Sequence, residues 1–265
     1  MGTNEHLHGY LARIGLAGTL RTDLPTLAAI QQRHIATFPF ENLNPLLGLP
    51  VQLDADWLYH KMVVGGRGGY CFEQNLLLRN MLAELGFRTR ILLGRAGPGG
   101  GVVVGRTHLV LLVHLNGTDH LVDTGYGGLV PTGPLRLEPG LVQHTPNEDY
   151  RLLAAEDEYR LEVSLPGQWR RLYEFSLQKQ EMEDLEVANW YTATSPASRF
   201  TRGLLAARAE GNRRFTLDRR SLSVYHPGQE PEKRELHSLD EMQEVLTETF
   251  RINLDGLQGL DKLMA

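Results

Sequence analysis

Arg67-Gly-Gly-Tyr-Cys-Phe-Glu-Gln-Asn75 joins a glycine-rich turn to the start of a helix, and it holds the only cysteine in a chain of 265 residues. Beyond it, Leu77, Leu78, Met81, Leu82 and Leu85 fall on one face at helical spacing, and Gly86 supplies a stop. The pattern predicts a helix over 71–85 with Cys71 at or near its N-terminus. Backbone N–H groups left unpaired at such an end favour a thiolate over a thiol. A lone cysteine is also a common small buried hydrophobe, and this stretch by itself leaves both readings open.

Working outward, the chain is long enough to bury a substantial core and to form two or three modules. One cysteine excludes an internal disulfide framework and points to a reducing compartment. Residues 1–13 lack the basic-then-apolar pattern of a signal peptide, and no run of about 18 apolar residues occurs. The expectation is a soluble, cytoplasmic protein. A formal charge of −5 without any long Lys/Arg run argues against nucleic acid or an acidic membrane as the main partner. It leaves room for a small anionic ligand held by a local basic patch.

Upstream of Gly86 the text reads helical, with segments over 25–32, 55–63 and 71–85. Phe38-Pro39-Phe40 interrupts it, because proline cannot continue a helix. Downstream the period changes to that of strands, over 88–93 and 109–115, separated by a glycine-rich loop at 94–101. That loop lacks the ending of a nucleotide P-loop and reads as a surface loop. Further strands are expected over 150–165 and 168–175, a helix over 181–191, a turn-rich link at 193–198, strands near 215–225, a polar loop at 227–234 and a closing helix over 240–250. Ser238 before Glu241 has the spacing of a capping box for that last helix.

Asn116-Gly117, between two apolar runs, is the strongest hairpin signal in the chain. If these two residues form the loop, paired positions sum to 233, so Val110 opposes Asp123 and His108 opposes Gly125. His108 and Asp123 then share a face as diagonal neighbours, with Cα atoms on the order of 7–8 Å apart, close enough for their side chains to hydrogen-bond. His114 and Asp119 also face each other, near the turn, where a solvated ion pair is expected. A cysteine at a helix start, a histidine on a strand and an aspartate on its hairpin partner supply a nucleophile, a base and an orienting carboxylate. For that chemistry Cys71 and the end of the hairpin must pack together.

These residues also resemble a known family. Arg67–Asn75, Phe38-Pro-Phe-Glu-Asn-Leu43, Thr107-His-Leu-Val110 and Leu121-Val-Asp-Thr-Gly-Tyr-Gly127 look like the arylamine N-acetyltransferases. The likeness continues through the Tyr-x-x-Thr-Ser-Pro-x-Ser-x-Phe pattern of 191–200 and Phe250-Arg-Ile-Asn-Leu254, so it covers nearly the whole chain. It implies an α+β protein with a helical N-terminal domain (1–86), a β-barrel middle domain (87–192) and an α/β C-terminal domain (193–265), the first two arranged like a cysteine-protease core. It further implies a triad of Cys71, His108 and Asp123 and acetyl-CoA as cosubstrate, with no metal. The acceptors implied are aromatic amines or hydrazines, handled by a monomer or homodimer.

By the same resemblance, CoA is held around Val104, Gly105, Thr107, Gly125 and Tyr191, the acceptor near Phe38, Tyr126 and the 94–101 loop, and the oxyanion by backbone near Phe72. Val104 and Ala197 depart from hydroxyl residues found in some relatives. Arg67 and Glu41 are expected to pair structurally. Two rivals are a hydrolase or transglutaminase-like acyl transferase using the same three residues, and a non-catalytic binding protein on an inherited scaffold.

Overall fold

A computed structural model of the chain describes residues 3–97, 104–226 and 229–264. The expected helix at the cysteine is α5 (Cys71–Glu84); before it run α1 (Thr3–Arg13), α2 (Leu24–Thr37), α3 (Leu43–Leu47) and α4 (Ala55–Leu58). Asp23 caps α2 by accepting the Thr26 N–H at 3.0 Å, and Pro25 fits in its first turn, where an N–H would have no helical acceptor. The α4 helix widens into a π-type turn through Val64, closed by Gly65 N–H on His60 O at 2.8 Å. Residues 71–78 of α5 are all buried. It is thus a central helix enclosed on every side at its start, where the sequence pattern had suggested a single apolar face.

The second unit is an eight-stranded antiparallel sheet made of β2 (Arg88–Ala96), β3 (His108–Leu115), β4 (Thr118–Val122), β5 (Leu135–Arg136), β6 (Val142–His144), β7 (Asp149–Ala155), β8 (Glu158–Leu165) and β9 (Gln168–Ser176), in the order β5-β4-β3-β2-β9-β8-β7-β6. The sheet curls until its end strands meet. Gln143 on β6 accepts the Arg136 N–H of β5 at 2.7 Å and donates to Arg136 O at 2.8 Å, a side-chain amide standing in for the missing ladder. The result is barrel-like. Its interior is filled by Leu92, Val110, Leu112, Leu121, Tyr150, Leu161, Tyr173 and Phe175, while Leu109, Leu111 and Val113 point the other way into the helical core. Strand alternation therefore ties the first two units together through one shared sheet.

After α6 (Met182–Thr194), a five-stranded sheet in the order β1-β10-β11-β12-β13 combines β10 (Leu205–Glu210), β11 (Arg213–Asp218), β12 (Ser221–Tyr225) and β13 (Glu232–Glu235) with β1 (Phe40–Glu41). The proline-interrupted segment of the helical region thus supplies an edge strand far along the chain, Phe40 pairing with Ala207. Leu43 and Leu47 join Phe215, Leu246 and Phe250 in the third core. The closing helix is α7 (Leu239–Glu244), continued by a wider turn to Thr249. Ser238 caps it by accepting the Glu241 N–H at 3.2 Å. Pro98 to Val103, in and beside the expected 94–101 loop, and Pro227-Gly228 lie outside the described residues. Among the described residues no helix is long and apolar enough to cross a membrane.

Candidate active site

Cys71 is the first residue of α5, and the first helical acceptor in the ladder is Tyr70 O, taken by Gln74 N–H at 2.9 Å. The N–H groups ahead of Gln74 are the helix's unpaired positive end. One glycine of the Arg-Gly-Gly turn is obligatory: a Cβ on Gly68 would sit 1.9 Å from Pro39 O. Glu73 accepts the Tyr70 N–H at 3.1 Å and pairs with Lys61, while Arg67 donates to Glu41 through Nε at 3.0 Å and Nη2 at 2.8 Å. Both carboxylates are buried, so the Arg67–Glu41 pair is a structural brace for the turn that presents the thiol.

The hairpin register is as the turn dictates. Asn116 and Gly117 both have positive φ, 50° and 79°, and Leu115 pairs with Thr118 and Leu111 with Val122, sums of 233. The β3–β4 ladder stops there. Asp123 steps off the strand, and His108 Nε2 meets its Oδ2 at 2.7 Å. The second carboxylate oxygen accepts from Gly125 N at 2.7 Å and Asn75 Nδ2 at 3.1 Å. With Nε2 committed to Asp123, Nδ1 is the ring nitrogen left for the sulfur.

The two units do pack together here. A Cβ on Gly125 would lie 2.4 Å from Cys71 Cα, so only glycine allows the loop after Asp123 to touch the backbone of Cys71. The Cys71 thiol points at Thr107 O, 3.6 Å away, one residue before His108. Cys71 itself is 3 % exposed. Burial by itself pulls the His108 imidazole down. The Asp123 charge and hydrogen bond, then those of Cys71, reverse this and raise it from 6.5 to about 10. Burial pushes Asp123 up, but His108, Asn75 and the Gly125 N–H hold it below its usual range. The ring is therefore an imidazolium at neutral pH, and a sulfur beside it is placed for nucleophilic attack.

Of the other residues singled out in the sequence, Tyr126 stands edge-on to His108 with ring centroids 5.4 Å apart and donates to Leu172 O at 3.1 Å. Thr107 and Gly125 touch the site as described, and Val104 and Gly105 lie on the approach to β3, Val104 O accepting from Arg95. Tyr191 is 45 % exposed on α6. Phe38 needs correction. It is 1 % exposed, stacked on Tyr10 and against His34, so it offers a ligand no surface. The half-buried Phe40 instead packs on Gly127 beside Tyr126 and on Phe200, which meets Tyr70 edge-on at 5.5 Å.

Three contributors had not been singled out. Asn75, one turn beyond Cys71, accepts from Thr124 N and Oγ1 and donates to Leu109 O and Asp123. Gln31 of α2 donates to Asp123 O at 3.3 Å and to Pro131 O at 2.8 Å. Tyr173 lies 4.6 Å from the His108 ring; burial first, then the Asp123 carboxylate, pushes its hydroxyl well above the usual phenol range. Asn75 was within reach of sequence reasoning, since it shares the face of α5 that carries Cys71. Gln31 and Tyr173 were not, being brought in from remote elements. Among the described residues no three His, Cys, Asp or Glu side chains group as a metal site would need.

A mixed helix-and-sheet fold with a thiol, an imidazole and a carboxylate meeting at the junction of its first two units has the parts that cysteine-nucleophile chemistry needs. The comparisons with known proteins narrow it. A family model described as N-acetyltransferase matches residues 23–258. The arylamine N-acetyltransferase of Mycolicibacterium smegmatis is 42 % identical over 261 residues, which is 96 % of this chain and 94 % of that protein. The solved structure of the Mycobacterium tuberculosis enzyme superposes with a TM-score of 0.94 at 39 % identity, covering 98 % of this chain and 100 % of that one. The Mycobacterium marinum enzyme, solved in complex with CoA, gives 0.92 at 39 % identity over 97 % of each chain. The chain belongs to the arylamine N-acetyltransferase family.

Proposed function

We propose that this protein transfers the acetyl group of acetyl-CoA to arylamines, hydrazines or related amines through an acetyl-cysteine intermediate. The observation that carries the reading is Cys71 at the start of α5 beside the His108–Asp123 pair, bonded at 2.7 Å. In the first half the Cys71 sulfur attacks the thioester carbonyl carbon. The tetrahedral intermediate expels CoA thiolate, which takes a proton from the imidazolium, leaving an acetyl thioester on Cys71. In the second half the amine nitrogen attacks that thioester, His108 Nδ1 accepts the amine's proton, and Cys71 leaves as thiolate. Asp123 holds the ring and balances its charge. The N–H of Phe72, in the unpaired first turn, is the donor we assign to the oxyanion.

For the donor, we retain Val104, Gly105 and Thr107 before the histidine, with Gly125 as the point of close approach and Tyr191 on α6. For the acceptor we retain Tyr126 and replace Phe38 with Phe40. The helical and barrel-like units, divided near Gly86, then meet as in a cysteine-protease core, and residues beyond 192 form the third unit. Such chemistry suits a reducing, cytoplasmic setting, where a lone thiol stays free.

The test is a single-turnover assay. Mixed with acetyl-CoA and no amine, the protein should release one equivalent of CoA and carry one acetyl group mapped to Cys71 by mass spectrometry; Cys71→Ser should do neither. Full acetylation of the serine variant, or acetylation at another side chain, would overturn the assignment.

A further inference from the structure

A second concave site lies apart from the thiol and its partners. A groove of about 340 Å³ opens where remote stretches of chain meet: α3 with the link to α4, the π-type turn with the Arg67 loop after it, and the segment beyond Phe250. Asn253 brings that last segment in by donating its N–H to Gly66 O at 2.9 Å, and Leu257 then reaches the groove. None of the residues lining it belongs to the barrel-like unit that carries His108 and Asp123. Its volume lies at the lower end of the range for small-molecule sites.

The lining has two parts. Leu49, Pro50, Trp57 and Leu257 make an apolar wall, and Lys61 and Arg67 supply a charged end. The carboxylates that pair with these cations stand behind them: the side chains of Glu41 and Glu73 are 0 % and 1 % exposed, those of Lys61 and Arg67 8 % and 11 %. A molecule in the groove therefore meets two cations, and no Asp or Glu lines it. Both cations keep unused donors. Arg67 commits Nε and Nη2 to Glu41 and Asn44, while its Nη1 makes no hydrogen bond among the described residues. Lys61 Nζ donates to Glu73, which takes one of its three N–H groups, and it stands 5.2 Å over the Trp57 ring, where the two parts of the lining join.

We propose that this groove binds a small aromatic carboxylate, its ring against the apolar wall and its charge on Arg67 Nη1 and Lys61 Nζ, and that the occupant slows acetylation of Cys71. The second half of the inference rests on the reaction proposed above; the first does not. Guanidinium and ammonium groups hold carboxylates through charge-assisted hydrogen bonds, and a flat ring beside Trp57 and Pro50 covers much apolar area with few rotors to freeze. A neutral arylamine lacks the charge that the two cations select. The route to the sulfur is short. Arg67 and Lys61 brace Glu41 and Glu73; Glu41 accepts the Leu43 N–H at 2.7 Å, and Glu73 accepts the N–H of Tyr70, the residue before Cys71, at 3.1 Å. A third carboxylate competes for the same two cations, and what it draws off is lost to the turn that presents the thiol.

The experiment pairs calorimetry with the first half-reaction on the full chain, using 2-naphthoate as the carboxylate and 2-naphthamide as its neutral counterpart. The unaltered protein should bind 2-naphthoate roughly tenfold or more tightly than the amide. Leu49→Glu sets a carboxylate at a rim position that is 38 % exposed. It should weaken 2-naphthoate by about tenfold while the melting temperature and the uninhibited rate of Cys71 acetylation stay as they were. Trp57→Phe should remove the tryptophan fluorescence change on binding. With acetyl-CoA and no amine, saturating 2-naphthoate should slow CoA release by about fivefold or more, and further acetyl-CoA should not restore the rate. Equal affinity for acid and amide, or binding untouched by Leu49→Glu, overturns the site. Inhibition that acetyl-CoA relieves, or that persists undiminished in Leu49→Glu, puts the ligand at the thiol and overturns it as well. Binding without any change in CoA release defeats the regulatory half. Failure of acetyl-CoA to acetylate Cys71 in the unaltered protein would sink the reaction and the regulatory half together, while the calorimetry still decides the groove.

Discussion

Two histidines in this protein are buried to nearly the same degree, His108 at 4 % and His34 at 0 % exposure, yet their protons behave in opposite ways. Burial opposes charge on both. His108 faces the Asp123 carboxylate and is raised to about 10; His34 faces the Gln74 amide and is lowered to about 4. His34 accepts from the Tyr10 hydroxyl at Nδ1, 2.9 Å away, and donates from Nε2 to Gln74 Oε1 at 2.7 Å. Gln74 in turn donates to Pro39 O at 2.8 Å and to Phe38 O and Gly69 O at 3.2 Å each. One imidazole is an ion ready to exchange a proton. The other is a neutral strut that holds the turns leading to Cys71. What separates them is one atom in the partner, carboxylate oxygen or amide nitrogen, because only a full negative charge outweighs desolvation in the interior.

The most damaging way to break this contrast is Asp123→Asn, which gives His108 an amide partner like that of His34. Activity should drop by roughly 10³–10⁴, as expected when an orienting carboxylate is lost. The histidine resonance should titrate well below 10, because its largest raising influence is gone. An unchanged rate of Cys71 acetylation would show the pair to be irrelevant. The converse exchange, Gln74→Glu, puts a carboxylate against His34. It should raise the titration of His34 above 4 while removing the donor shared by three carbonyls. The loss of stability should be about 1–3 kcal/mol, read from the urea midpoint.

The pH dependence of stability sharpens the comparison further. His108 has a folded-state value above its unfolded 6.5, so its contribution is complete below pH 6.5 and fades as pH rises towards about 10. Asp123, held below its ordinary 3.8, contributes above that value and loses its contribution under acid. His34 is depressed, so stability drains as pH falls from 6.5 towards about 4, when the unfolded chain binds a proton that the folded one refuses. Urea titrations should show the alkaline decline vanish in Asp123→Asn and the acid decline flatten in His34→Gln. The smallest effect is expected of Tyr10→Phe, about 1 kcal/mol from one lost hydrogen bond, with acetylation of Cys71 kept. A several-fold loss of acetylation there would mean that the strut does more than hold the turns.

Legibility followed the range of the interactions. The helix at Cys71 and the register around Asn116-Gly117 could be read because each is set by residues within a few positions; the His108–Asp123 contact expected from that register forms, but with Asp123 beyond the end of the ladder rather than paired with Val110. The ladder's early end at Leu111 and Val122 could not, since it depends on the loop after Asp123 being drawn away by Asn75 and Gln31. Leu205 to Glu210, rich in alanine and charge, has no strand pattern of its own. It is a strand because β1 and β11 flank it. Phe38 and Phe40 are equivalent as text, one on each side of a proline, and only the fold sends the first into the core and the second towards Tyr126.

The sequence alone determined the helix start at Cys71, the hairpin that carries His108 towards Asp123, and the family these motifs belong to, because local propensity and turn chemistry act over short stretches of chain. Tertiary structure decided which histidine is charged and which aromatic ring meets the site. Those outcomes depend on burial and on partners contributed from distant parts of the chain, and neither exists until the units pack.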